Sequence, residues 1–221
     1  MKILQGLWLG AIGLALMSIG SPVRAEPPAA APTYQVDKDL SRVYAKVMRT
    51  NRLGHNHGVE GKLSSGSLTP GGKGTFVFDM ASFTADTAAA RKYVGLDADF
   101  NANDARKVNG NMKGAEVLDV ARFPQATLEI TACSPADKQA AGAAGRYIID
   151  GQFTLHGVKR QVRFLTEFAG TNQAGVVSLR GWFTIQQTQF GMKPFTVAGG
   201  AIGIEDELTI YGEIYLRQAG K

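Results

Sequence analysis

From Tyr34 onward, apolar and polar residues alternate with a period of two. Over Val176 to Gln186, Val177, Leu179, Gly181, Phe183 and Ile185 fall on one face. Ser178, Arg180, Thr184 and Gln186 take the other, with Trp182 the exception. Over Asp206 to Leu216, Leu208, Ile210, Gly212, Ile214 and Leu216 alternate with Thr209, Tyr211, Glu213 and Tyr215. The runs Pro124 to Cys133 and Gln161 to Phe168 behave alike, with Leu128, Ile130, Phe164 and Phe168 on their apolar faces. Successive strand side chains point to opposite sides of the pleat, so this pattern predicts strands with one wet and one apolar face. Antiparallel sheets accept that arrangement and parallel sheets seldom do.

Further strands are expected at Thr33–Asp37, Ser41–Met48, Val59–Leu68, Gly74–Met80 and Tyr147–Leu155, joined by short glycine-bearing links. Many short-linked strands read as a sandwich or a barrel. Several runs are long, and long one-sidedly apolar strands leave sticky edges unless they close. Closure favours an all-β, antiparallel barrel. One stretch breaks the alternation. Asp86 to Asp99 opens with capping residues and runs through alanines, which predicts a helix with Asp86 near its N-cap. Asn103 is placed to cap a second helix over Asp104 to Met112, ending near Gly114. This insertion is positioned to act as a lid over the barrel mouth.

The first 25 residues stand apart. Lys2 precedes an almost unbroken apolar run from Ile3 to Ile19, broken by Gly20, Ser21 and Pro22. Val23 and Ala25 then supply the small residues of a cleavage site before Glu26. That order is a secretory signal peptide cut after Ala25, and it predicts a periplasmic protein. Residues 26–32 (EPPAAAP) read as an extended leader, and residues 33–218 as one domain. Cys133 is the only cysteine, so no internal disulfide is available and stability must come from burial and backbone pairing. The mature chain carries 22 basic and 19 acidic residues. The basic residues are scattered, which argues against nucleic acid; the mild positive balance is compatible with transient contact with an anionic membrane surface.

Residues 34 to about 216 resemble the YceI-like family of exported bacterial lipid-binding proteins. The resemblance is carried by Tyr34-Gln-Val-Asp37 with Ser41, by His57-Gly-Val-Glu-Gly61, by Asp86-Thr87, and by Phe123-Pro124 leading into Thr127-Leu-Glu-Ile130. Gly151-Gln-Phe-Thr-Leu-His-Gly-Val158 is its most diagnostic stretch, followed by Phe190-Gly191-Met192 and Ile202-Gly203 with Asp206 and Leu208. The segment after Thr87 keeps only part of the family's arginine- and aspartate-rich pattern. The resemblance implies a lipocalin-like barrel of about eight strands with a long apolar channel. It also implies an isoprenoid-chain ligand, either a polyprenyl lipid or an isoprenoid quinone.

Inward-facing positions predict the channel wall: Phe76, Phe78, Leu128, Ile130, Phe153, Phe164, Phe168, Leu179, Phe183, Ile210 and Ile214, with Gly181 and Gly212 giving up volume between them. Period two alone does not separate a hollow barrel from a filled one. His57 and Arg91 are the candidate contacts for a ligand head group. No cofactor and no metal site is expected. The competing reading is an accessory of a membrane redox system, binding quinone, metal or haem through His55, His57 and His156; in it the three histidines must converge. No nucleophile elbow, triad or phosphate loop is present, so no catalytic residue is assigned. Gly71 to Gly74 is read as a hairpin turn, and His156 as a turn residue bonded to backbone. Tyr211 and Tyr215, expected to be exposed on the last strand, are the candidate face for a homodimer.

Overall fold

The computed structural model describes residues 33–69, 72–98, 100–136, 144–171 and 175–219. The expected signal peptide over 1–25 and the expected leader over 26–32 lie outside the described residues, as do Gly71 and Asp99. The strands are β1 (Tyr34–Val36), β2 (Arg42–Arg49), β3 (His57–Thr69), β4 (Lys73–Ala85), β5 (Gln125–Pro135), β6 (Ala144–Leu155), β7 (Val158–Thr171), β8 (Val176–Gln186), β9 (Thr196–Val197) and β10 (Ile202–Gln218). Helices α1 (Ala88–Tyr93) and α2 (Ala102–Lys113) interrupt them once, between β4 and β5.

Strands β2 to β8 follow one another around the wall, each antiparallel to the next. β10 lies between β8 and β2 and closes the sheet, running from Glu207↔Gln186 to Arg217↔Val176 along β8 and from Ile204↔Arg49 to Glu213↔Arg42 along β2. The result is a closed eight-stranded antiparallel barrel. β1 adds outside this circuit, pairing with β10 and β3, and β9 pairs only with the start of β10. Register slips on β3 against β4 and on β5 against β6 mark bulges. A bulge bends a strand and increases its twist, which is what closing a barrel requires.

Alternation decides which side chains enter. On β5, Ala126, Leu128 and Ile130 are buried while Gln125 and Thr131 are exposed. Glu129 and Asp150, outward by parity, pair on the surface with Lys159 (3.0 Å) and Arg163 (2.9 Å). The β6–β7 link has two residues, His156 and Gly157, both with positive φ (51° and 74°), between the paired Leu155 and Val158. Two left-handed residues in a two-residue link make the type I′ turn, whose twist matches that of the flanking strands.

The insertion differs in detail from the sequence expectation. The first helix covers only Ala88–Tyr93, and its N-cap is Thr87, whose Oγ1 accepts from the Ala90 N–H at 3.0 Å. Asp86 is not the cap. It adopts a positive φ of 60° and turns its carboxylate inward. The second helix starts one turn-fragment earlier than expected, capped by Asn101 rather than Asn103, and Gly114 is its C-cap. Helix α1 lies close on β3. A Cβ on Gly58 would come within 2.9 Å of the Ala90 and Arg91 backbone, so only glycine admits the helix there.

The barrel interior is not uniform. At the end that carries β1, Leu68, Phe76, Leu128, Ile130, Ile149, Leu179, Ile214 and Leu216 are buried on one another, with Tyr34 and Val36 packed against them. The opposite end, where the chain passes through residues 50–56, the helical insertion and residues 187–201, is hollow.

Outside, two cross-strand groups depart from the polar rule. The registers pair Ile148 with Leu165 on β6 and β7, and align Trp182, Tyr211 and Tyr44 across β8, β10 and β2. Trp182 stays exposed (57 %), but Tyr44 is covered by Tyr93 of α1, stacked at 3.8 Å, and Tyr93 meets Tyr211 edge-on at 6.0 Å. Tyr211 and Tyr215 are therefore half-buried rather than bare: α1 covers the first, and the hydroxyl of the second donates to Glu213 (3.1 Å). Cys133 is a free thiol at the edge of the core, and burial pushes its pKa up, away from the reactive thiolate.

Candidate functional site

The hollow end encloses a cavity of about 540 Å³. That is the size of a typical small-molecule site, which spans roughly 300–1,000 Å³. Its wall is built from the inward positions of the last turns of β2, β4, β6 and β8 and the first turns of β3, β5 and β10. The hollowness has a local cause. Ala45, Ala85 and Ala126 face inward at this end, and their small side chains leave space between larger ones such as Phe78, Phe153 and Phe183. The inserted segment stands over the opening and contributes Phe100, Val108, Met112 and Leu118, while Met192, Phe195 and Val197 come from the 187–201 connection.

The floor is aromatic. Phe153 meets Phe78, Phe183 and Phe190 edge-on, with centroids 6.2, 5.5 and 5.8 Å apart. Edge-to-face rings in this range pack densely and favourably, which separates the cavity from the solid half below. Phe164 stacks behind Phe183 at 5.0 Å.

Of the predicted channel residues, Phe78, Phe153, Phe183 and Ile210 line the cavity. Phe76, Leu128, Ile130, Leu179 and Ile214 are buried in the filled half, and Phe164 and Phe168 pack half-buried against it. Those seven do not face the cavity. Gly181 and Gly212 pair with each other and do not line it either. Strand parity places all of these side chains inward but does not say at which height along the barrel the packing stops. Met80, of the same parity as Phe78, also lines the cavity, as does Phe83, which lies beyond the expected strand end because β4 runs five residues past Met80 to Ala85 and bulges on the way. Gln187 was missed. It is fully buried, lines the cavity, and its Nε2 donates to the Glu205 carbonyl at 2.8 Å.

The polar rim is organised around one carboxylate. Asp86 has a fully buried side chain (0 % exposed) that accepts from His57 Nδ1 at 2.7 Å, from Arg91 at 2.9 Å and from the Gly58 N–H at 3.3 Å. Burial pushes its pKa up, but the bonds to His57 and Arg91 outweigh that and hold it below the usual carboxylate value. Arg91 also donates to the carbonyls of Asn56 and Asp97, and its guanidinium lies 4.8 Å over the Phe100 ring. The structure thus separates the two candidate head-group residues. His57 lines the cavity, and its Nδ1 contact with Asp86 leaves Nε2 as the nitrogen available to a ligand. Arg91 is buried behind it and does not line the cavity; it fixes Asp86 and Phe100.

The three histidines do not converge. His55 and His57 both line the mouth and both meet Phe100 edge-on, at 5.5 and 5.7 Å. His156 sits in the β6–β7 turn, with Nδ1 3.1 Å from the Phe190 carbonyl and its ring against Phe123. Among the described residues, no group of three His, Cys, Asp or Glu side chains is arranged to hold a metal ion.

Closed antiparallel wall, one solid end and one apolar pocket define a lipocalin-type barrel. The chain belongs to the YceI-like family: the YceI-like domain model matches residues 34–216. Among solved structures it is similar to BcnA from Burkholderia cenocepacia, at 19 % identity and a TM-score of 0.54, covering 81 % of this chain and 98 % of that one. It is also similar to a polyisoprenoid-binding domain from Saccharophagus degradans, described as implicated in plant cell wall breakdown. That match has 14 % identity and a TM-score of 0.58, and covers 84 % of this chain and 98 % of the other. At such identities the likeness is one of fold. A comparison with curated proteins gave no match.

Proposed function

We propose that this chain is a periplasmic binding protein that sequesters an isoprenoid-chain lipid, a polyprenyl lipid or an isoprenoid quinone, in the hollow half of its barrel. The observation that carries this reading is the one-ended cavity of about 540 Å³, whose walls are aliphatic and aromatic and whose polar groups gather at the rim. An apolar chain is driven in by roughly 0.8 kcal/mol per buried CH₂-sized group. A head group then rests beside His55, His57, Asn111 and Lys107. His57 Nε2 accepts from a hydroxyl when neutral, or donates to a quinone or phosphate oxygen when it carries the second proton. The polyisoprenoid-binding description of the Saccharophagus neighbour and the YceI-like domain match support the same ligand class. Glu129 and Asp150 are paired on the outer wall, away from the cavity, and the carboxylate that does line it, Asp104, is paired with Lys107 at 3.4 Å.

Native mass spectrometry of the protein purified from the periplasm, followed by organic extraction, tests this. One isoprenoid molecule per chain is the expected result. An empty protein that also takes up no added isoprenoid overturns the reading. A role in passing quinone to a membrane redox system is the second reading, and the His55–Phe100–His57 cluster at the mouth favours it. Extraction of a quinone rather than a polyprenyl lipid would select it.

A further inference from the structure

The lip of the cavity formed by residues 50–54 and 196–202 is unlike the rest of the surface. Residues 194–204 contain no charged side chain, and 196–202 are exposed without a break. Val197 (41 % exposed) and Ile202 (37 %) face solvent and line the cavity at once. Beside them the 50–54 loop raises Leu53, the most exposed large apolar residue described, at 68 %. The two loops are one unit. Asn51 Nδ2 donates to the Ala201 carbonyl (2.7 Å), and the Thr50 N–H donates to the Gly203 carbonyl (3.0 Å). The tip turns through three successive left-handed residues, Ala198, Gly199 and Gly200 (φ 52°, 65° and 92°), which keep side-chain bulk away from its crest.

On the 50–54 side the charges behind this tip have one sign, while on the other side exposed Glu205 and Glu207 follow Ile204. From Leu40 to Val59 the chain carries Arg42, Lys46, Arg49 and Arg52 and no carboxylate. Arg52, next to Leu53, is exposed, and Arg49 braces the loop by donating to the carbonyls of Arg52 (3.2 Å) and Gly54 (2.9 Å).

We propose that the lip formed by residues 50–54 and 196–202 docks on the surface of an anionic phospholipid bilayer, with Leu53, Val197 and Ile202 entering the headgroup–acyl boundary and Arg49 and Arg52 meeting lipid phosphates. Apolar tips backed by cations are the arrangement that binds a bilayer interface. A contiguous apolar patch on a soluble protein marks a contact surface, and the exposed Arg52 beside Leu53, in a stretch from Leu40 to Val59 with no carboxylate, favours an anionic partner. On the carrier reading above, docking brings the cavity mouth against the hydrocarbon, so an isoprenoid chain passes from bilayer to barrel without crossing water.

Docking is tested without any cargo. The full mature chain is sedimented with ligand-free vesicles of phosphatidylglycerol and phosphatidylethanolamine, and with vesicles of phosphatidylcholine alone. Binding to the anionic vesicles, reversed at about 0.5 M salt where screening is strong, is expected. Leu53→Glu is expected to lower partitioning about tenfold or more, the scale of withdrawing one leucine-sized side chain from an apolar phase. Arg52→Glu is expected to weaken it too, and both variants should melt like the parent because the sites are exposed. No binding to anionic vesicles, equal binding by Leu53→Glu, or binding only to vesicles that carry membrane proteins would overturn the proposal. Loading with an isoprenol delivered from detergent micelles separates the two readings. If Leu53→Glu loads normally from micelles but slowly from vesicles, docking is supported. If the parent docks yet never loads from either source, docking stands and the carrier reading falls.

Discussion

Asp86 joins the end of β4 to the insertion, and its buried carboxylate is held by the Arg91 guanidinium and by His57. Removing one member of a buried pair leaves the other desolvated and unpaired, at a cost of about 3–5 kcal/mol. Asp86→Asn is expected to lose that much stability in urea unfolding, and to loosen Phe100 through Arg91. The pH dependence follows from the lowered pKa. A carboxylate whose folded pKa lies below its free value of 3.8 contributes stability that is complete above that value and lost as pH falls through the folded pKa. Acid unfolding of the parent should therefore show a loss beginning just below pH 3.8, and Asp86→Asn should show less acid dependence there; unchanged acid curves would refute this assignment.

A pair of substitutions separates the two halves of the barrel. Leu128 is buried in the solid half, so Leu128→Ala opens a void and is expected to cost about 2–5 kcal/mol while leaving ligand affinity nearly unchanged. Ala45 faces the hollow, so Ala45→Leu fills space that is already empty. It should leave the melting temperature level or higher and weaken ligand binding. If both substitutions affected binding alike, the division between a solid and a hollow half would be wrong.

At the scale of elements, the two helices of the insertion are held differently: α1 by the Asp86–Arg91 pair and the Tyr93–Tyr44 stack, α2 by its bonds to β4. The side chain of Asn109 on α2 substitutes for a strand neighbour at the end of β4. Its Oδ1 accepts from the Ala85 N–H (2.8 Å) and its Nδ2 donates to the Ala85 carbonyl (3.2 Å). Asn109→Ala removes both bonds, each worth about 1 kcal/mol net. It should raise the ligand off-rate while the barrel melts only a few degrees lower, as measured by stopped-flow displacement and calorimetry. The β6–β7 turn is the opposite case. Gly157 has φ 74°, and a Cβ there would lie 2.7 Å from the Phe123 ring, so Gly157→Ala should destabilise the whole barrel without touching the cavity.

For the whole molecule, closure makes the barrel and its cavity one cooperative unit. A ligand that binds only the folded state stabilises it by about 2.7 kcal/mol at a hundredfold excess over its Kd. Delipidated protein is expected to melt lower than the extracted-and-reloaded form, and the difference should shrink in Ala45→Leu. Equal melting of loaded and empty protein would mean that the cavity is not where the ligand sits.

Strands, antiparallel pairing and closure were determined by the sequence itself, because period two is a local property and long one-sided strands have few stable arrangements. The His156-Gly157 turn and the outward placement of Glu129 and Asp150 follow from the same local rules. What lay beyond it was height along the barrel axis. Phe76 and Phe78 obey one parity, yet Phe76 is buried in the solid half and Phe78 lines the cavity. Arg91 is a helix cation like Lys92 by sequence, yet the close approach of α1 to Gly58 buries the first and leaves the second exposed. The lip joins residues 50–54 to 196–203, nearly 150 positions apart in the chain, by bonds such as Asn51 to Ala201. Local patterning assigns a side chain to a face; only the registers of strands brought together from the whole chain decide which face positions meet a partner and which are left around an empty space.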